Sequence, residues 1–233
     1  MLEVTKRKIV QYLAEKGFLL RDDLIIKEHR LKLIVNDEYY SDYFCTPSFL
    51  EELVLGSLAI EGLIRQKSDL KFIDINDDCI KVNISSSSET KKNVKSDSEI
   101  QIKASRVLEL MDKHLDSSPL HKTTGGTHVM SLATNDDIII TCQDIGRHNA
   151  LDKLYGCCLK NDIKLDDKIL FSSGRITNEI AYKTLKMGVK VIVSRAMVSS
   201  MAIELAEAHG LTILGFTRGN RFNIYSNPHR IIE

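Results

Sequence analysis

The chain has 233 residues, 43% hydrophobic and 27% charged, with 32 Lys and Arg balanced by 32 Asp and Glu. That length can bury a substantial core as one large domain, or as one domain plus a smaller partner. Zero formal charge argues against a duplex nucleic-acid binder, which carries a basic excess on its binding face, but it leaves room for a local basic pocket around one small anion.

No apolar run approaches the ~18–20 residues that a bilayer span needs. The N-terminus, MLEVTKRKIVQYLAEKG, is charged throughout and lacks a signal-peptide apolar core. The expectation is a cytoplasmic protein that engages neither membrane nor nucleic acid. Cys45, Cys79, Cys142, Cys157 and Cys158 lack zinc-ribbon or C-x-x-C spacing. They read as reduced, mostly buried small hydrophobes. Cys157 and Cys158 are neighbours on a predicted helix and face different directions, which argues against a dithiol made of those two.

From Leu31 to Ile84 the pattern is of hairpins around one helix. LKLIV and EYYSDYF flank a turn-like Asn36-Asp37. Pro47 then stands near the start of the amphipathic stretch FLEELVLGSLAIEGLI. KFIDI–NDD–CIKVNI reads as a second hairpin. We therefore expect residues 1–84 to form a smaller α+β domain. Residues 85–99, polar and Ser- and Lys-rich without periodicity, read as a loop.

Residues 100–233 are expected to form an α/β domain with a largely parallel sheet. DDIIITC, DKILF and VKVIV are each followed by a polar bend and a helix. Gly188 and Gly210 are expected helix C-caps, and LTILGF is a last strand ending in TRGNR. Alternation of this kind implies parallel strands joined by right-handed crossovers. All strand-to-helix bends of such a sheet emerge at one edge, the usual place for a ligand.

That edge would collect Asp144, Arg147, His148 and Asn149 from QDIGRHN, and Ser172, Ser173, Gly174 and Arg175 from SSGR. It would add Ser194 and Arg195, then Arg218, Gly219, Asn220 and Arg221. Arginines among serines, glycines and helix N-termini suit a phosphate or pyrophosphate. TTGGTH contributes a backbone nest at Gly125 and Gly126 beside His128. His128 and His148 could each be a half-buried hydrogen-bonding group, and His148 could instead be a base or a phosphate donor. Zinc deaminase and H-E-x-x-H patterns are missing, so no protein-bound metal is expected. Without a G-x-S-x-G elbow, a Ser-His-Asp hydrolase has no support. Asp144 reads as an orienter of Arg147, His148 or adjoining backbone.

Taken in order, TTGGTH, QDIGRHNALDKLYG, SSGRITNEIAYKTLKMGV and SRAMVSSMAIELAEAHGLTILGFTRGNRFNIY, with IVN, TP and GSLAIEGLI upstream, resemble the FdhD family of formate dehydrogenase accessory sulfurtransferases. The match spans roughly residues 28–84 and 100–226. The resemblance implies a cytidine-deaminase-like layered α/β/α domain and a homodimer. It also implies a protein that passes sulfur from a cysteine desulfurase to the molybdenum cofactor destined for formate dehydrogenase. The cofactor would be the bis form of molybdopterin guanine dinucleotide, which a guanine nucleotide can mimic. The family's cofactor stretch corresponds to Phe216, Thr217, Arg218, Gly219, Asn220 and Arg221.

One departure matters. Family members carry a cysteine pair in a loop ahead of the TGG-H segment, and here that loop is ISSSSETKKNVKSDSE. Sulfur transfer needs a thiolate carrier. The first expectation is cofactor binding, with a role in sulfuration or delivery. The alternatives are sulfur transfer through Cys79 or Cys142, and a regulatory nucleotide-binding module without chemistry.

Overall fold

The structure is a computed structural model and describes residues 3–85 and 100–233. The expected loop at 85–99 thus lies, apart from Ser85, outside the described residues. Strands β1 (Val4–Leu13) and β2 (Gly17–Ile26) form an antiparallel hairpin to which the sequence reading gave no element. Tyr12, Phe18 and Leu20 are exposed on it, so it builds no core of its own.

The small domain has the expected parts. β3 (His29–Val35) and β4 (Glu38–Cys45) are joined by Asn36 and Asp37, with φ of 50° and 66°. Paired left-handed residues give the turn twist that a two-residue hairpin requires. Helix α1 (Leu50–Ile60) follows, then β5 (Leu70–Asn76) and β6 (Cys79–Ile84). The sheet order is β4-β3-β6-β5, with β3 and β6 parallel. Leu31, Leu33, Ile80 and Val82 pack with Leu53, Val54, Leu55 and Leu58 of α1.

The large domain opens with β7 (Ile102–Lys103), α2 (Ala104–Asp116) and α3 (Pro119–Thr124). Its main sheet contains β8 (His128–Ala133), β9 (Ile138–Asp144), β10 (Ile169–Ser172), β11 (Val191–Ser194), β12 (Thr212–Arg218) and β13 (Arg221–Ser226). Helices α4 (Arg147–Lys160), α5 (Asn178–Met187) and α6 (Ser200–His209) alternate with these strands, and β14 (Ile231–Ile232) pairs with β7. Gly188 and Gly210 cap α5 and α6 with φ of 84° and 70°.

The layering is α/β/α, as expected. Leu170, Ile192 and Ile213 face α4, α5 and α6, while Phe171, Val191, Val193 and Leu214 face α2. From α2, His114 reaches the same interior, its Nδ1 lying 2.7 Å from Ser131 Oγ. Burial, reinforced by His121, pushes its pKa down to about 3, so it is a neutral core residue.

The order β13-β12-β11-β10-β8-β9 shows where the sheet departs from a purely parallel one. β10, β11 and β12 are parallel, whereas β8 runs antiparallel to both β9 and β10. β8 begins at His128, the last residue of the glycine nest, in a stretch to which the sequence reading gave no element. Its last five residues are all buried, so it lacks the alternation that marks a half-exposed strand. Because β9 and β10 both oppose β8, they still point the same way. The carboxyl ends of β9, β10, β11 and β12 therefore share one edge, and His128 begins β8 there.

The domains meet where α1 crosses α4. A Cβ on Gly56 would lie 1.8 Å from the backbone oxygen of Asp152, and one on Gly156 would lie 1.9 Å from that of Glu52. The two helices approach through reciprocal glycines, which explains why α1 is apolar nearly all round: one face meets its own sheet and the other meets α4. Gly156→Ala should gain about 1 kcal/mol of helix propensity. The clash predicts the opposite net sign, a loss of about 1–3 kcal/mol or more, measurable as a lower denaturation midpoint.

Candidate functional site at the strand-end edge

A cavity of about 450 Å³ opens at this edge, lined by Leu115, His121, Gly125, Gly126, Thr127, His128, Ser173, Arg195, Ala196 and Arg218. Gly125, Gly126, His128, Ser173 and Arg218 of the expected site thus come together. Gly125 is left-handed, with φ of 63°, and ends α3. A Cβ on Gly126 would sit 2.7 Å from Ile26 Cδ1 of the β1–β2 hairpin, the free end of a side chain that can shift to admit it.

The bends after β10 and β11 are stitched to each other. Ser194 Oγ donates to the Gly174 carbonyl at 2.6 Å, and Ser172 Oγ accepts from Gly174 N at 3.1 Å. Arg195 N donates to Ser172 O at 3.1 Å, and Phe216 N to Ala196 O at 3.0 Å. Ser173 is tied to β8, its Oγ accepting from Val129 N at 2.9 Å. These serines therefore hold the edge in shape. Helix α5 begins at Asn178, three residues beyond Arg175, so SSGR is a bend rather than a helix start.

Gly174 serves a different need. A Cβ on it would meet His128 Nδ1 at 2.8 Å and lie 3.7 Å from Arg147 Cβ. Its bare backbone lets His128 and Arg147 close over the bend. Burial first, then the charges of Arg147 and Arg175, hold the His128 pKa below its ordinary value. His128 is consequently neutral near pH 7, and the positive charge of the edge belongs to arginines.

Arg218 is fixed by its Nε donating to Arg195 O at 3.0 Å, with its guanidinium 5.8 Å from the Phe216 ring. Phe216 has φ of 50°, at an irregularity in the β12–β13 pairing; a bulge of this kind re-aims side chains at a rim. Gly219, with φ of 57°, and Asn220 form the exposed tip of the β12–β13 hairpin, which Arg221 closes opposite Arg218. Those three lie outside the cavity lining, as does exposed Arg175. Thr127 and Thr217, 4% and 1% exposed, each carry a buried hydroxyl with no hydrogen-bond partner, as does half-buried Arg147 at Nε.

QDIGRHN is divided among three tasks. Arg147 faces His128, whereas His148 turns away, its Nε2 lying 3.2 Å from Glu179 Oε2 in a separate cavity with Glu61 and Lys183. Asp144 and Asn149 are structural. Asp144 is fully buried, and its Oδ2 accepts from Lys153 Nζ at 2.6 Å, Thr46 N at 2.8 Å and Thr46 Oγ1 at 3.1 Å. Its Oδ1 accepts from Gly146 N at 2.9 Å and Asn149 Nδ2 at 3.1 Å. Asn149 Nδ2 also donates to Phe44 O at 2.8 Å, and Lys153 Nζ to Thr46 O at 3.0 Å. Asp144 does orient adjoining backbone, but what it orients most firmly is the small domain. The sequence reading missed Lys153 and His121. The signal for Lys153 was its place among Ala150, Leu151 and Leu154, all buried on α4.

Cys79 begins β6, half-buried and in register with Lys32. Cys142 is 1% exposed and lies inside the core with its Sγ 3.6 Å from Cys157 Sγ. Among the described residues no cluster of His, Cys, Asp or Glu is placed to hold a metal, and no helix is long and apolar enough to cross a membrane.

The fold and its edge define an α/β protein with a cavity at the strand ends that Arg195 and Arg218 line. The FdhD/NarQ family model matches residues 26–97 and 85–232, and the chain belongs to that family. It is 35% identical to the sulfur carrier protein FdhD of Bacillus pumilus (strain SAFR-032), covering 99% of this chain and 98% of that one. It is also 35% identical to the sulfur carrier protein FdhD of Geobacillus kaustophilus (strain HTA426), over 97% of each. A putative formate dehydrogenase accessory protein from Desulfotalea psychrophila shares the fold, with a TM-score of 0.87 at 24% identity over 99% of this chain and 100% of that one.

Removing one partner of a buried ion pair leaves an uncompensated charge, so Lys153→Met should cost about 3–5 kcal/mol. Adding Asp144→Asn to it should cost less than the sum of the two single changes. Equilibrium denaturation of the two single variants and the double variant reads this, and strictly additive losses would mean that the pair is uncoupled.

Proposed function

We propose that this chain is a formate dehydrogenase accessory protein that holds a guanine-dinucleotide molybdenum cofactor at the strand-end edge and supports its sulfuration or delivery. The observation carrying the reading is the cavity itself, where the Gly125–Gly126 backbone, Arg195, Arg218 and the orphaned Thr127 hydroxyl converge. Buried hydroxyls without partners fit a polar ligand, because such groups otherwise cost stability. Arg218 and Arg195 would meet phosphates, with Arg175 at the rim. Neutral His128 would give or take a hydrogen bond, and Phe216 and Thr217 would shape the wall beside Arg218. The molybdenum is cargo here, and the chain's task is to bind and present it. Formate dehydrogenase and a cysteine desulfurase are the implied partners, with action as a homodimer in the cytoplasm.

GDP is the accessible probe. Calorimetric titration at low salt should show binding, and Arg218→Ala should weaken it about 10–100-fold by removing a charge-assisted contact. An anion in the cavity raises the His128 pKa from its lowered value, so affinity should rise as pH falls below about 6.5, the ordinary histidine value. Absence of measurable binding would refute the cavity assignment. Rescue of formate dehydrogenase activity in a strain lacking its own accessory protein separates this role from a bare nucleotide-binding module.

A second reading keeps sulfur transfer within the chain, through Cys79. Its partial exposure and its register with Lys32 favour it over Cys142. The contact with Cys157, together with burial, drives the Cys142 thiol far above its ordinary pKa, and a neutral buried thiol is a poor nucleophile. Incubation with a cysteine desulfurase and radiolabelled cysteine distinguishes the two. Reductant-labile label that disappears in Cys79→Ala supports transfer, and an unlabelled wild type leaves the binding role alone.

A further inference from the structure

We propose that Cys142 and Cys157 form a peroxide-sensitive dithiol whose oxidation to a disulfide clamps β9 to α4 across the bend that carries Arg147. The pair has no part in the cofactor reading and stands on its own geometry. Cys142 lies two residues before Asp144, and Cys157 four residues after Lys153. The two sulfurs face each other at 3.6 Å, one at 1% exposure and the other at 7%. Closing to a bond of about 2.05 Å requires a movement of about 1.5 Å, shared between two side chains. Cys45 and Cys158 are equally free and buried, but neither has a sulfur partner among the described residues.

The burial selects the oxidant. A protein persulfide or glutathione disulfide is too bulky to reach a sulfur this enclosed, whereas hydrogen peroxide is small and neutral. The hydrogen bond shared with Cys142, with Lys160 and Lys153 nearby, holds the Cys157 pKa below its ordinary value and makes it the attacking sulfur. Its thiolate displaces hydroxide from peroxide to give a sulfenic acid, and the hydroxide takes a proton to become water. The Cys142 sulfur then attacks the sulfenic sulfur, losing its proton and expelling a second water. Two thiols and one peroxide thus yield one disulfide and two waters.

The bond would close a 15-residue segment containing Asp144, Arg147 and Lys153, tying together, within the large domain, the strand and the helix that face the small one. The test is peroxide treatment of the purified full chain followed by intact-mass and non-reducing peptide analysis. A loss of 2 Da, localised to a Cys142–Cys157 cross-link and reversed by a phosphine reductant, is the expected result. The oxidised protein should melt about 5 °C or more higher. Cys142→Ala and Cys157→Ala should each abolish the 2 Da loss, while Cys45→Ala should retain it. Addition of oxygen without cross-linking, cross-linking between chains, or no modification of the wild type would overturn the proposal, and since these are read on the wild type they do not depend on the variants folding. A cross-linked form that melts lower would equally overturn the clamp.

Discussion

The register of the protein's two domains is set by one buried contact, the Asp144–Lys153 pair with Thr46 between its members. Both side chains are 0% exposed. Taking two charges out of water costs several kcal/mol each before their attraction returns any of it. Here the return is as complete as the geometry permits. Each Asp144 oxygen accepts at least two hydrogen bonds, and the Lys153 ammonium reaches Asp144, the Thr46 hydroxyl and the Thr46 carbonyl. A hydrophobic pair of similar volume could have filled the same space. It could not have fixed one backbone position of the small domain, 98 residues earlier in sequence, against the end of β9. The pair is best understood as a register device.

The strand-end edge depends on that register. Asp144 ends the strand paired with β8, directly opposite His128, so whatever holds Asp144 also fixes the mouth of the cavity. From the other side, Gly56 and Gly156 let α1 and α4 approach until backbone meets backbone. With α4 held by its own glycine and lysine, Arg147 in its first turn has little freedom. It stands beside Gly174, whose bare backbone leaves room for the His128 ring. Under the proposed function, preorganisation of this kind would keep the cost of binding a charged ligand low, because the arginines would not have to be gathered afterwards.

The sequence was most legible where local chemistry decides the outcome. Asn36 and Asp37 adopt the left-handed turn that their residue types favour, and Gly188 and Gly210 end their helices as their spacing predicts. The gathering of four bends at one edge followed from strand direction alone and survived the insertion of antiparallel β8. Less was legible where a role depends on a distant partner. β8 has no alternation because both of its faces are covered, and β13 pairs through irregularities. The charged β1–β2 hairpin lacks a buried face to announce it. In QDIGRHN the residue types were polar as a functional bend would be, yet Asp144 and Asn149 answer to Thr46 and Phe44 in the other domain. His148 answers to Glu179 on α5. No local pattern separates those roles from that of Arg147.

The same division bears on chemistry. Binding an extended anion asks for many weak donors at fixed positions, which a sheet edge supplies through backbone and arginine. Moving sulfur asks for one nucleophilic, reachable thiolate, and residues 84–99 contain no cysteine. The five cysteines lie elsewhere, four of them buried and Cys79 half-exposed. Buried thiols lose reactivity because burial disfavours the thiolate, as the raised pKa values of Cys45, near 11, and Cys158, near 12, show. Cys157 is the exception, its pKa lowered by the hydrogen bond it shares with Cys142. Under the proposed function, a chain with this distribution keeps the geometric half of an accessory protein's task within its own fold. The sulfur-handling half would then fall to Cys79 or to a partner that supplies the thiolate.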